Sequence, residues 1–276
     1  MIKYPLSEVI LNVTELCNQK CSFCPRAVDY PNQNLHMSSE VAEEAILQTN
    51  PWTNYIQLGG RGEPLLCENL YNILELCVNY KRKIKIITNG DHLDKHLKIL
   101  DSILNLKKES TKYKIMVNCY RGIKEYEERI KKYEKYRDIY VTMERCENNA
   151  EENIKNEKLT NRGGVFSYNN IHSKSPCYSL FHQVIINWNG DVNLCCHDWS
   201  QITHFGNILE TSFEKIWEQG LLNEYRLQLI KGKRFLFKEC KNCNSIENQK
   251  TSIPLYDKWL NGKVDRETQI SQFNVF

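Results

Sequence analysis

Between residues 8 and 143, short β-branched runs alternate with amphipathic stretches. The runs at 10–13, 55–58, 84–87, 115–118 and 139–143 read as five strands. Helices are predicted from Ser38 or Ser39 to about residue 49, over about 68–80, and over 91–104 and 123–136. Either serine supplies an N-cap oxygen, and Thr88-Asn89-Gly90 ends the third strand. Strand–helix alternation of this kind implies parallel strands with helices outside. Right-handed crossovers wind such units into a partial (β/α) barrel, here of about five parallel strands. Ligands in such barrels sit at the C-terminal ends of the strands. The loop after the first strand, residues 59–63 and residues 88–90 should therefore share one mouth.

After residue 143 the pattern changes. Residues 146–176 are rich in Glu, Asn, Lys and Gly and read as a polar connector that contains the domain boundary. Apolar runs at 183–186 and 192–195 flank Asn189-Gly190, a strong hairpin signal. One amphipathic helix is predicted over 212–230, then a cysteine loop over 237–246. The organisation expected is a barrel over 1–150, a connector over 151–176, an α+β C-terminal domain over 177–246 and a tail over 247–276.

Composition adds exclusions. Of 276 residues, 41% are hydrophobic and 26% charged, which suits a globular core. With 37 basic against 34 acidic residues the net charge is +3, too even for a nucleic-acid partner. The run Lys81-Arg82-Lys83-Ile84-Lys85 reads as a solvated approach to a buried strand. No apolar run reaches the ~18–20 residues that span a bilayer, and the start has no signal-peptide core, so no membrane partner and a cytoplasmic location are expected. In that compartment the twelve cysteines point to metal binding or catalysis more than to disulfides.

Three of them, Cys17, Cys21 and Cys24, form C-x3-C-x2-C directly after the first strand. Three thiolates in this spacing can take three irons of a [4Fe–4S] cube and leave the fourth iron open to a ligand. A zinc loop is the alternative, with His36 as the nearby fourth donor. Cys177, Cys195, Cys240 and Cys243 form a second set, able to ligate a whole [4Fe–4S] cluster or a structural zinc. Cys67, Cys77, Cys119, Cys146 and Cys196 fall outside both sets and read as small hydrophobes.

The first motif, with Phe23 before its last cysteine, resembles the radical S-adenosylmethionine superfamily. The resemblance implies that S-adenosylmethionine chelates the open iron and is split to a 5′-deoxyadenosyl radical, with Phe23 near the adenine. Gly59-Gly60-Arg61-Gly62-Glu63-Pro64 looks like the family's glycine-rich segment. Gly60 and Gly62 would let backbone approach the cofactor, and Glu63 would accept from the methionine ammonium. Asn89, after the third strand, and Asn118, at the end of the fourth, are expected in the same cofactor site.

Pro176-Cys177, Asn189-Gly190-Asp191, Leu194-Cys195-Cys196-His197-Asp198, Gly206-Asn207 and Phe213–Trp217 together resemble the SPASM/Twitch extension of these enzymes. No cysteine follows Cys243, so the shorter, one-cluster Twitch form matches. The resemblance covers most of residues 8–246. It implies two [4Fe–4S] clusters, S-adenosylmethionine, a flavodoxin or ferredoxin as electron donor, and a dehydrogenase acting on a hydroxyl of a small substrate such as an aminocyclitol or sugar. Arg162, in Asn161-Arg162-Gly163-Gly164, would grip substrate oxygens in a fork. His197, where related dehydrogenases carry a glutamate, would serve as a base. A peptide maturase, an epimerase, an iron–sulfur sensor and a zinc-stabilised binding module are the competing readings. The first strand near residue 8 leaves no room for a leader-binding domain before it, which favours the small substrate.

Overall fold

The computed structural model describes residues 4, 6–106, 113–119, 121–144, 160–166 and 174–245. Its centre is one seven-stranded sheet in the order β5-β4-β3-β2-β1-β6-β7. The strands are β1 Glu8–Asn12, β2 Tyr55–Leu58, β3 Lys83–Thr88, β4 Tyr113–Cys119, β5 Tyr140–Glu144, β6 Gln183–Asn187 and β7 Val192–Asn193. The first five are parallel and lie in sequence order, as expected for a partial barrel.

β6 adds a sixth parallel strand: Val9, Ile10 and Leu11 of β1 pair with Val184, Ile185 and Ile186. Only the short β7 runs antiparallel. The hairpin of the C-terminal segment thus extends the barrel's own sheet. All five residues of β6 are buried, as a strand flanked on both edges and covered on both faces requires. One core cluster runs from Val9, Ile46 and Ile86 to Val184, Phe213, Trp217 and Leu229, so the barrel and the C-terminal elements bury their apolar surface together.

The helices are α1 Ser39–Thr49, α2 Leu70–Asn79, α3 Leu97–Leu106, α4 Ile123–Lys132, α5 Phe213–Glu218 and α6 Leu221–Leu229. Ser38 caps α1 by accepting from the Val41 amide. The third helix starts later than predicted, after a 3-10 turn at Leu93–His96, and the fourth stops at Lys132 before another at Glu134–Tyr136. The single helix expected over 212–230 is two, because the chain leaves helical geometry at Gln219 and Gly220, where glycine weakens helix and serves as the N-cap of α6.

The basic run before β3 is also corrected. Arg82 is buried, and its guanidinium donates to the Ile46 carbonyl, Asn50 and Thr49 at the end of α1. No helix among the described residues is long and apolar enough to cross a membrane. Most of the connector, Cys146 and the tail at 247–276 lie outside the described residues.

Candidate active site

Cys17, Cys21 and Cys24 lie on the loop that leaves β1. Asn32 closes this loop by accepting from the Cys17 amide at 2.8 Å and donating back to its carbonyl at 3.1 Å. The Cys24 amide donates to the Cys21 carbonyl, and Pro25 then starts a 3-10 turn. Burial pushes the Cys17 and Cys24 thiols up, while Arg162 and Arg26 pull Cys24 down. Phe23 packs with Cys21 and Cys24 in a small cluster of its own, with the Arg162 guanidinium 6.0 Å above its ring.

The loop is held by a buried charge cluster that the sequence reading missed. Arg26 donates to the carbonyls of Arg61, Pro31 and Glu15 and to the Glu15 carboxylate at 3.3 Å. Arg61 donates to the other Glu15 oxygen at 3.2 Å, to Asn187 and Asn193 of the hairpin, and to the Asp198 carbonyl. Tyr30 and Asn12 complete the shell around Glu15. The side chains of both ion pairs are at most 5% exposed, so each charge depends on its partners. Partners 46 to 137 residues away leave no local mark, and only Arg61 between two glycines hinted at a special position.

The glycine segment packs closely against the protein's own backbone. A Cβ on Gly62 would stand 2.2 Å from the Thr14 carbonyl oxygen, and one on Gly60 2.7 Å from Asn12 Oδ1. The absent side chains serve the approach of residues 59–63 to the protein's own loop at 12–16.

Glu63 is buried with both carboxylate oxygens occupied, accepting from Leu65 N, Thr88 Oγ1 and Asn89 N. It braces the loop after β2 against the loop after β3. Burial pushes its carboxyl up to about 7 against those hydrogen bonds.

Asn89 is likewise committed, donating to Asn18 and accepting from the Asp91 amide. Asp91, which the sequence reading did not single out, accepts from Asn18 and Gln19 of the cysteine loop and from Arg121 and Arg129. Burial raises its carboxyl, but Gln19 and the two guanidiniums outweigh that and hold it below the ordinary range.

Asn118, at the end of β4, is 7% exposed and its Oδ1 has no partner. Asp198 Oδ2 and Trp199 Nε1, also buried, are unpartnered too. Buried polar atoms of this kind call for a ligand or water. Asn118 Oδ1 is thus open to a ligand. His36 is not a free fourth donor, because Nδ1 lies 3.0 Å from Thr14 Oγ1 and Nε2 2.9 Å from Asn34 Oδ1.

The second cysteine set is gathered from three elements. The Cys177 amide donates to the Leu229 carbonyl at the end of α6, Cys195 follows β7, and Cys240 and Cys243 share one turn in which the Cys243 amide donates to the Cys240 carbonyl. Burial, followed by the neighbouring thiols, raises Cys195 well above its ordinary value, Cys177, Cys240 and Cys243 being among those neighbours. Cys196, read as a bystander, acts on both Cys195 and Cys243 and so lies beside this set. Among the described residues no three His, Cys, Asp or Glu side chains are gathered on a single ion. Cys67, Cys77 and Cys119 are buried, with thiols pushed up by desolvation to about 11, 12 and 11, as inert core cysteines should be.

Arg162 and His197 are brought together. Gly163 is pressed so close that a Cβ would stand 2.4 Å from the His197 carbonyl oxygen, and Thr160 Oγ1 lies 3.3 Å from His197 Nδ1. Asn161 locks this segment to the cysteine turn by pairing with Asn242 and Asn244. Arg162 adopts a left-handed φ of 52°, a conformation that costs energy and concentrates at functional sites.

Comparisons with known proteins agree with this geometry. The model of the radical SAM superfamily matches residues 11–161, and that of the SPASM iron–sulfur cluster-binding domain matches residues 177–244. The crystal structure of BtrN in complex with AdoMet and 2-DOIA superposes with a TM-score of 0.72 at 25% identity, covering 89% of this chain and 95% of BtrN. Selenomethionine BtrN in an open conformation gives 0.63 at 22% identity. In its length, cysteine pattern and truncated barrel the chain also resembles 2-deoxy-scyllo-inosamine dehydrogenase, a resemblance that the likeness to BtrN supports. GTP 3',8-cyclase of Aquifex aeolicus (strain VF5) is 31% identical over 102 residues, which is 35% of this chain and 32% of the cyclase's own length.

Proposed function

Because this chain belongs to the radical S-adenosylmethionine superfamily, we propose that it is a dehydrogenase that oxidises a hydroxyl of a small polar substrate, an aminocyclitol or sugar. The carrying observation is the segment Thr160–Gly164, which touches both cysteine sets: Arg162 lies over Phe23 beside Cys24, and Gly163 lies against His197, two residues after Cys195. When bound, the first cluster and S-adenosylmethionine would supply one-electron chemistry able to take hydrogen from the carbinol carbon, and a second cluster would supply an electron acceptor. Cys17, Cys21 and Cys24 would hold the first group and Cys177, Cys195, Cys240 and Cys243 the second.

The chain's own residues do the rest. Arg162 offers a planar fork to two substrate oxygens. His197 accepts the hydroxyl proton, its ring oriented by Thr160. Arg61 and Glu15 fix the glycine segment against the hairpin, so the two halves of the site keep one spacing. An acidic one-electron donor of the flavodoxin or ferredoxin kind would reduce the first site.

The test is anaerobic reconstitution with S-adenosylmethionine, a reductant and candidate polyols. Replacing Cys17, Cys21 or Cys24 with alanine should abolish 5′-deoxyadenosine release. Replacing Cys240 and Cys243 together should leave some release but no ketone. Unimpaired ketone formation by that double variant, or a redox-neutral product from the native protein, would refute the dehydrogenase reading.

A further inference from the structure

Arg234 is a buried cation with no anion of its own. Its side chain is among the largest fully buried ones in the protein, and the residue is 2% exposed. Nη1 donates to the Ser245 carbonyl and Nη2 to the Pro176 carbonyl, both at 2.8 Å. Nε–H is buried and has no partner. Among the described residues no carboxylate lies within ion-pair distance of it. An arginine so placed loses its hydration and needs a compensating negative charge.

The two carbonyls say where that charge is. Pro176 immediately precedes Cys177, and Ser245 follows Cys243 by two residues. One guanidinium therefore ties together the chain entering and the chain leaving the second cysteine set. The Cys177 amide is meanwhile held by the Leu229 carbonyl, and Gly232 packs its backbone against the Lys174 carbonyl, where a Cβ would stand 2.4 Å away. The arginine's position is thus fixed from both sides. The opposing charge nearby is Glu239, next to Cys240, whose carboxylate accepts from Thr203 Oγ1.

We propose that Arg234 is the built-in counter-ion of the group held by Cys177, Cys195, Cys240 and Cys243, and that it raises that group's reduction potential. This rests on the reading that these four thiolates hold an iron–sulfur cluster. Four thiolates make such a cluster an anion, and one-electron reduction adds a further negative charge. A fixed neighbouring cation stabilises the reduced form more than the oxidised form. Charge, hydrogen bonds to sulfur and burial are the protein's means of setting such potentials. Here one residue supplies all three: a full charge, an unused N–H, and a site closed to water. Arg234 is a positioning residue and does not touch substrate.

The measurement is a redox titration followed by electron paramagnetic resonance, on full-length protein in which Cys17, Cys21 and Cys24 are alanine, so that only the second site can carry iron. Arg234→Gln, which keeps a polar side chain but no charge, should shift the oxidised-to-reduced equilibrium at least about tenfold toward the oxidised form, ~59 mV for a one-electron couple. Arg234→Lys, which keeps the charge without the fork, should retain most of the native potential. Iron content near four per chain with an unchanged potential in Arg234→Gln would overturn the proposal. So would loss of the cluster in both variants, which would make Arg234 a mechanical clamp. Absence of any cluster in the parent triple variant would instead remove the four-thiolate reading itself.

Discussion

Gly62→Ala tests whether the glycine segment serves the fold or a ligand. The new Cβ would lie 2.2 Å from the Thr14 carbonyl oxygen and 2.8 Å from that of Leu16. Ordinary carbon–oxygen contacts begin near about 3.3 Å, so the two segments would have to part by roughly 1 Å. Both obstacles are backbone, and no side chain can swing away. The separation would also break the Glu63 amide bond to Leu16 O, now 2.8 Å. Overpacking costs about 1–3 kcal/mol and the lost hydrogen bond about 1 kcal/mol. The sum is about 3 kcal/mol, which in a chain of this size lowers the melting temperature by roughly 6–12 °C.

Thermal unfolding followed by circular dichroism, on cofactor-free protein, is the assay. Gly122→Ala is the comparison: its φ is 97° but nothing lies within 4 Å of the new Cβ, so it carries backbone strain alone, about 1 kcal/mol. A Gly62→Ala protein that melted like the native one yet bound S-adenosylmethionine poorly would refute the reasoning, because the missing side chain would then be serving the ligand.

Two further outcomes follow from buried charges. Glu63 titrates near about 7 in the folded chain against an ordinary 4.5, so the native state holds its proton between those values when the unfolded state does not. Its contribution is complete below the lower value and is lost as pH rises through about 7, an amplitude of about 3 kcal/mol. Urea unfolding of native and Glu63→Gln proteins across that window should show the difference, and parallel curves would disprove it. Arg61→Met should cost about 3–5 kcal/mol by leaving Glu15 underpaired and removing a donor from the Asn187 and Asn193 oxygens. Arg61→Lys should recover little, since one ammonium cannot reach all these acceptors; full recovery in urea denaturation would show that charge alone matters.

Local pattern determined much of this protein. Four strand–helix units and a fifth strand write a parallel sheet into the chain, because a buried strand is apolar on both faces and an outer helix on one. The cysteine spacings likewise specify a metal-binding loop, since only neighbouring residues are needed to gather Cys17, Cys21 and Cys24. Tertiary structure decided where the hairpin goes. Pattern marks β6 as buried but carries no label for its second partner, which proved to be β1. It also decided which polar residues are braces: Glu63 joins the loop after β2 to the loop after β3 through partners that local pattern does not mark. The burial of Arg26, Arg61, Arg82 and Arg234 leaves no mark in the local pattern for the same physical reason. Burying a guanidinium requires acceptors, and theirs come largely from distant segments that only the folded chain brings to them.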